Sequence, residues 1–113
     1  MKIYHNPRCS KSRQTLAILN EKKIKFEIVE YLKDNLRKKE LKAIIEKLEI
    51  NPIELVRKNE SIWKENYKDK NLSDKEIIQA MINYPKIIER PIVINGKKAV
   101  IGRPPENVLK IID

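Results

Sequence analysis

Cysteine is almost missing from this chain. Cys9 is the single one among 113 residues, so no internal disulfide can form and no second thiol is present to resolve an adduct on the first. Glycine is nearly as scarce, with two residues, and aromatics make up 5% of the chain; no Gly-rich phosphate-binding loop is present. No stretch approaches the roughly 18 consecutive apolar residues that a membrane-spanning helix requires. No His, Cys, Asp or Glu cluster has metal-ligand spacing, and the N-terminus has neither the apolar run nor the small-residue cleavage site of a signal peptide. These absences predict a soluble cytoplasmic protein with no metal, no bound cofactor and no membrane partner.

The length predicts a single domain over residues 1–113, long enough to bury a core without staples. The net charge of +9 would suit a polyanion. However, nineteen of the 25 basic residues are Lys, interleaved with Glu and Asp. That pattern reads as a solvated surface, and a nucleic-acid partner is not expected. The six Arg are at positions 8, 13, 37, 57, 90 and 103. Where any positive charge would serve, the chain uses Lys, so Arg57, Arg90 and Arg103 are candidates for a task that needs a planar, bidentate donor.

Lys2 to His5 reads as a short strand, and a helix from about Ser10 to Lys22 follows the loop that carries Cys9. A second strand is expected within Ile24 to Leu32, where apolar and polar residues alternate. A strand, helix, strand unit favours parallel pairing with a crossover. Helical spacing then recurs over 36–48, a short helix opens at Asn51-Pro52, and Ile62 to Tyr67 adds a turn. Ser73-Asp74-Lys75-Glu76 has the form of a capping box before an apolar run. Asn95-Gly96 between two β-branched runs predicts a type I′ hairpin with positive φ at both residues. Glu106 to Ile112 makes a closing helix. The order is that of an α/β, thioredoxin-like mixed sheet, β-α-β then β-β-α, with a helical insertion at about 36–84.

Cys9 stands where a strand stops and a helix starts. Unpaired amides and the helix dipole at that end favour thiolate and also an anion beside it. The alternative is a small buried hydrophobe, but Asn6, Pro7, Arg8, Ser10, Lys11 and Ser12 are poor company for a core side chain. His5 reads either as a strand residue bonded to nearby backbone or as an imidazolium favouring the thiolate. Ser12 reads either as a first-turn helix residue or as a support for the sulfur. Trp63, Tyr67 and Tyr84 read as packing or surface aromatics.

Four segments, Ile3 to Arg13, Leu55 to Lys58, Glu89 to Val93 and Ile101 to Glu106, together resemble the glutaredoxin-linked arsenate reductases in length, order and spacing. The resemblance implies that Cys9 is the catalytic nucleophile, that His5 and Ser12 support its thiolate, and that Arg57, Arg90 and Arg103 bind the arsenate oxyanion. Pro91 matches the cis-proline that such folds place beside the cysteine. It further implies an arsenate reductase with a role in arsenic resistance. Cys9 would form a thioarsenate, resolved by glutathione as co-substrate and glutaredoxin as partner, with release of arsenite. Two alternatives stand beside it. One is a glutathione-dependent thiol reductase of the same fold. The other is an Spx-type redox regulator that binds RNA polymerase, for which Ser12 occupies the place of the usual second cysteine.

Overall fold

The computed structural model describes residues 1–34 and 36–112, which fall into two compact units: Met1–Asp34 with Arg90–Asp113, and Asn35–Glu89. In the first unit, β1 (Lys2–Tyr4), α1 (Ser10–Glu21) and β2 (Glu27–Val29) are followed, from the C-terminal segment, by β3 (Ile92–Asn95), β4 (Lys98–Ile101) and a closing 3₁₀ helix, Pro105–Ile111. The strands form one sheet in the order β2-β1-β3-β4. β1 pairs parallel with β2 and antiparallel with β3, and β3 pairs antiparallel with β4. This is the mixed sheet of a thioredoxin-like fold.

Ile3, Leu19, Val93, Val108 and Ile111 form the core of that unit, so the sheet, α1 and the closing helix share one apolar centre. β2 is shorter than the alternation over 24–32 suggests. Lys23 adopts a left-handed conformation, φ 55°, and the Ile24 N–H is spent on the Leu19 carbonyl at 3.3 Å. Ile24 and Phe26 pack against the core cluster instead of lengthening the strand. On the other side of β2, the Lys33 and Asp34 amides turn back to the Glu30 carbonyl.

The hairpin forms where expected, with a different turn. Asn95 stays in β3 and pairs with Lys98, leaving Gly96 and Lys97 as the central residues. Among the described residues only Lys23, Glu49 and Gly96 have φ in the left-handed region, Gly96 at 63°. Positive φ at the first central residue alone is the sign pattern of a type II′ turn, in which Gly takes that place. Asn95 is held in the strand because its side-chain amide donates to the Ile111 carbonyl at 2.6 Å. The closing segment is 3₁₀ throughout and begins at Pro105, one residue before the expected start.

In the second unit, α2 (Lys38–Leu48) buries Leu41, Ile44 and Ile45 and ends where Glu49 takes φ 56°. α3 (Ser61–Asn66) carries buried Trp63, which stacks on Tyr67 with ring centroids 5.4 Å apart. The capping box at α4 (Asp74–Asn83) forms as the sequence predicts: Ser73 Oγ accepts from the Glu76 N–H, and the Glu76 carboxylate accepts from the Ser73 N–H. α4 packs on α2 and buries Ile77, Ile78, Ala80 and Met81. Val56 and Ile88 form an isolated antiparallel bridge that closes this unit on itself. Among the described residues no helix is long and apolar enough to cross a membrane.

Candidate active site

The loop between β1 and α1 brings Cys9 to the N-cap of α1, with φ −95° and ψ 122°. Its sulfur therefore stands where a capping oxygen stands in other helices, facing first-turn amides that have no partner within the helix. Two bonds shape the loop: Cys9 N–H donates to the Asn6 carbonyl at 3.0 Å, and Arg8 N–H donates to Asn6 Oδ1 at 3.1 Å. Asn6 is buried, and so is Cys9, whose thiol is free. Arg13 extends from the second turn of α1 back to the loop and donates to the Pro7 carbonyl at 2.9 Å.

The decisive contact crosses 94 residues of chain: Arg103 Nη2 lies 3.3 Å from Cys9 Sγ. The same guanidinium is anchored through Nε, which donates to the Arg90 carbonyl at 2.8 Å. Burial pushes the Cys9 thiol up and is the largest single influence on it. The Ser12 backbone N–H, a hydrogen bond from the Arg90 side chain, and the charges of Arg103 and Arg90 together outweigh burial and hold the thiol below its ordinary value. No side-chain cap bond of regular geometry closes on the sulfur, so the Ser12 N–H acts on it as an aligned dipole rather than a full bond.

Ser12 and His5 form a buried pair behind the loop. His5 Nδ1 and Ser12 Oγ are 2.6 Å apart, and the same hydroxyl oxygen accepts from the Asn6 N–H at 3.0 Å. Burial lowers the His5 pKa against an opposing pull from Glu30, and the Arg13 charge lowers it further. The imidazole is thus driven toward neutrality, and what it touches is the Ser12 hydroxyl. Whichever of the two carries the shared proton, this contact ties the Ser12 side chain to His5, while the Ser12 backbone N–H acts on the sulfur.

Arg90-Pro91 is a cis peptide bond, as is Arg103-Pro104. Gly102 sits against Pro91: its N–H donates to the Pro91 carbonyl at 2.8 Å. A Cβ on Gly102 would meet Thr15 Oγ1 at 2.6 Å and Pro91 Cγ at 2.7 Å, so only a residue without a side chain lets β4 leave the sheet this close to α1. Thr15 is fully buried, and its hydroxyl faces both the Lys11 carbonyl, at 2.9 Å, and the Gly102 carbonyl, at 3.5 Å. Nothing local in the sequence marks Thr15 as part of this junction. Gly102 was not singled out in the sequence, although the rarity of glycine could have done so.

The sequence profile described as the ArsC family matches residues 4–111. The chain belongs to the ArsC family. It is 48% identical over 114 residues to the uncharacterized protein YfgD of Escherichia coli (strain K12), covering 99% of this chain and 96% of that one. It is 46% identical over 112 residues to a protein of Haemophilus influenzae named arsenate reductase, with 97% of both chains covered. Its structure superposes on the arsenate reductase from Vibrio cholerae with a TM-score of 0.93 at 44% identity, covering 99% of this chain and 98% of the other.

In this ArsC-family chain, then, the first unit alone assembles Cys9, Arg90, Arg103, Ser12, His5 and Pro91. Arg57 belongs to the second unit, where its N–H donates to the Ile87 carbonyl at 2.7 Å and its Nε is buried with no hydrogen-bond partner. Among the described residues no group of His, Cys, Asp and Glu could hold a metal ion.

The lowered thiol predicts a pH profile. Iodoacetamide alkylation of Cys9 is expected to titrate with a midpoint below the roughly 8.5 of an ordinary thiol. Because the folded thiol gives up its proton first, the unfolded chain holds more protons between the two pKa values. Stability therefore rises with pH through that window, is fully present above the ordinary value, and is lost as pH falls through the folded one. An alkylation midpoint at or above that of free cysteine would contradict the geometry.

Proposed function

We propose that this chain is an arsenate reductase in which the Cys9 thiolate is the nucleophile. The observation that carries the reading is the Arg103 contact at 3.3 Å from a sulfur held at a helix N-terminus, in a chain 46% identical to a named arsenate reductase. Arsenate at neutral pH is a tetrahedral dianion, and attack on it by a thiolate requires its charge to be offset. First-turn amides and the guanidiniums of Arg90 and Arg103 are the donors suited to that.

In the proposed sequence a sulfur–arsenic bond forms as an arsenic–oxygen bond breaks, and the oxygen leaves as water after taking up protons. Arsenic is still pentavalent in this adduct. Glutathione then adds to the arsenic with loss of a second water. A glutaredoxin thiolate attacks the glutathione sulfur, and a mixed disulfide forms. The two electrons of the broken arsenic–sulfur bond stay on arsenic, which becomes trivalent, and hydrolysis from Cys9 releases arsenite. Both reducing thiols come from outside because the chain holds one cysteine. This chemistry places the protein in a reducing, thiol-rich compartment such as the cytoplasm. Within it, His5 acts by fixing the Ser12 hydroxyl, and Pro91 by holding the backbone against which Gly102 packs.

The test is direct. Purified protein with arsenate, glutathione and glutaredoxin is expected to produce arsenite, and omission of any one component is expected to stop turnover. Robust reduction of glutathione mixed disulfides with no arsenite formed would replace this reading with that of a general thiol reductase.

A further inference from the structure

Arg103 touches the sulfur from a short segment that is held at Gly102 by the Pro91 carbonyl. Ile101 ends β4, Pro105 opens the closing helix, and the segment between them starts with a glycine. One side chain brackets that segment. Asn107 Nδ2 lies 3.2 Å from the Ile101 carbonyl and 3.0 Å from the Arg103 carbonyl. A side-chain amide nitrogen carries two hydrogens, so both bonds can be made at once. The Arg103 N–H closes the turn by donating to the Ile101 carbonyl at 2.9 Å, and the Asn107 N–H donates to the Pro104 carbonyl at 3.0 Å. The carbonyls on either side of Gly102-Arg103 are thereby tied to one residue of the closing helix.

We propose that Asn107 is the positioning residue for Arg103: by clamping the Ile101 and Arg103 carbonyls it sets the backbone from which the guanidinium reaches Cys9. Two fixed points then support the Arg103 side chain. Its backbone is held by Asn107, and its Nε by the Arg90 carbonyl, which leaves Nη2 aimed at the sulfur. Loss of the clamp removes a bond from the Ile101 carbonyl and from the Arg103 carbonyl, while Gly102 keeps its bond to the Pro91 carbonyl, so the added backbone freedom falls on Arg103. Arg103 then spends less time at the thiolate, and the thiolate becomes less favoured. Asn107 is not among the groups that touch the sulfur and acts only through Arg103. The inference rests on Cys9 as the reactive group and does not depend on what Cys9 attacks.

The experiment measures the pH dependence of iodoacetamide alkylation of Cys9 in the full chain for Asn107→Ala and Asn107→Leu, alone and combined with Arg103→Ala. Leu has nearly the shape of Asn without donors or charge, so it separates the loss of the clamp from the loss of packing; a circular-dichroism melt confirms the fold of each variant. Both single variants are expected to move the alkylation midpoint upward and to slow alkylation at pH 7 about three- to tenfold. In the Arg103→Ala background the same substitutions are expected to have no further effect. An unshifted profile in a folded Asn107→Leu chain overturns the proposal. So does a shift that persists without Arg103, which would make Asn107 a structural residue. Because alkylation needs no arsenate, failure of the arsenite assay and failure of this clamp are read independently.

Discussion

Cys9→Ser is expected to lower arsenite production by at least about a thousandfold while leaving the fold intact, because a serine hydroxyl is not ionised at neutral pH and cannot form the sulfur–arsenic bond. The substitution keeps an oxygen at the N-cap of α1, where Ser is a favoured residue, so the variant is expected to fold cooperatively, its melt lowered by no more than the stability that the ionised thiol adds at that pH. Arsenite formation by the variant within about tenfold of the parent would exclude covalent attack through Cys9. The two readouts separate chemistry from folding: activity collapses, while the cooperative melt is kept.

Arg103→Ala is the second large effect. It removes the donor 3.3 Å from the sulfur and one positive charge that holds the thiol below its ordinary value. Removal of a single preorganised donor from a developing oxyanion typically costs about 10²–10³ in rate, and kcat/KM for arsenate is expected to fall by that order. The alkylation midpoint should rise in the same variant, so nucleophile and anion site fail together. Arg103→Lys is expected to recover only part of the loss. An ammonium can meet the sulfur or the Arg90 carbonyl, whereas the guanidinium meets both, at 3.3 and 2.8 Å, through separate nitrogens in a rigid plane. Unchanged arsenate kinetics in Arg103→Ala would remove Arg103 from the site.

Several elements were legible because their causes are local. Ser73 and Glu76 exchange side-chain and backbone bonds within one turn, so the start of α4 needed nothing from the rest of the chain. The same holds for Cys9 at the head of α1, placed by the strand-to-helix change around it. Legibility ended where a distant group took part. Asn95-Gly96 announced a hairpin, but the turn moved forward by one residue because Asn95 is claimed by the Ile111 carbonyl. β2 stopped short because Ile24 and Phe26 are drawn into the core cluster. The pairing of His5 with Ser12 was not read from their spacing, since each had a local role available to it.

The amino-acid order alone determined that one thiol stands at a helix N-terminus, that no second thiol is present to resolve it, and that a few scattered arginines stand out against a lysine background. Those features follow from counting and from interactions three or four residues apart. Tertiary structure decided which arginines meet the sulfur, which atom of Ser12 faces it, and which half-buried amide of the closing helix brackets Arg103. Contacts between groups as much as 94 residues apart arise only when the sheet, α1 and the closing helix bury one common core. No pattern confined to a single turn carries that information.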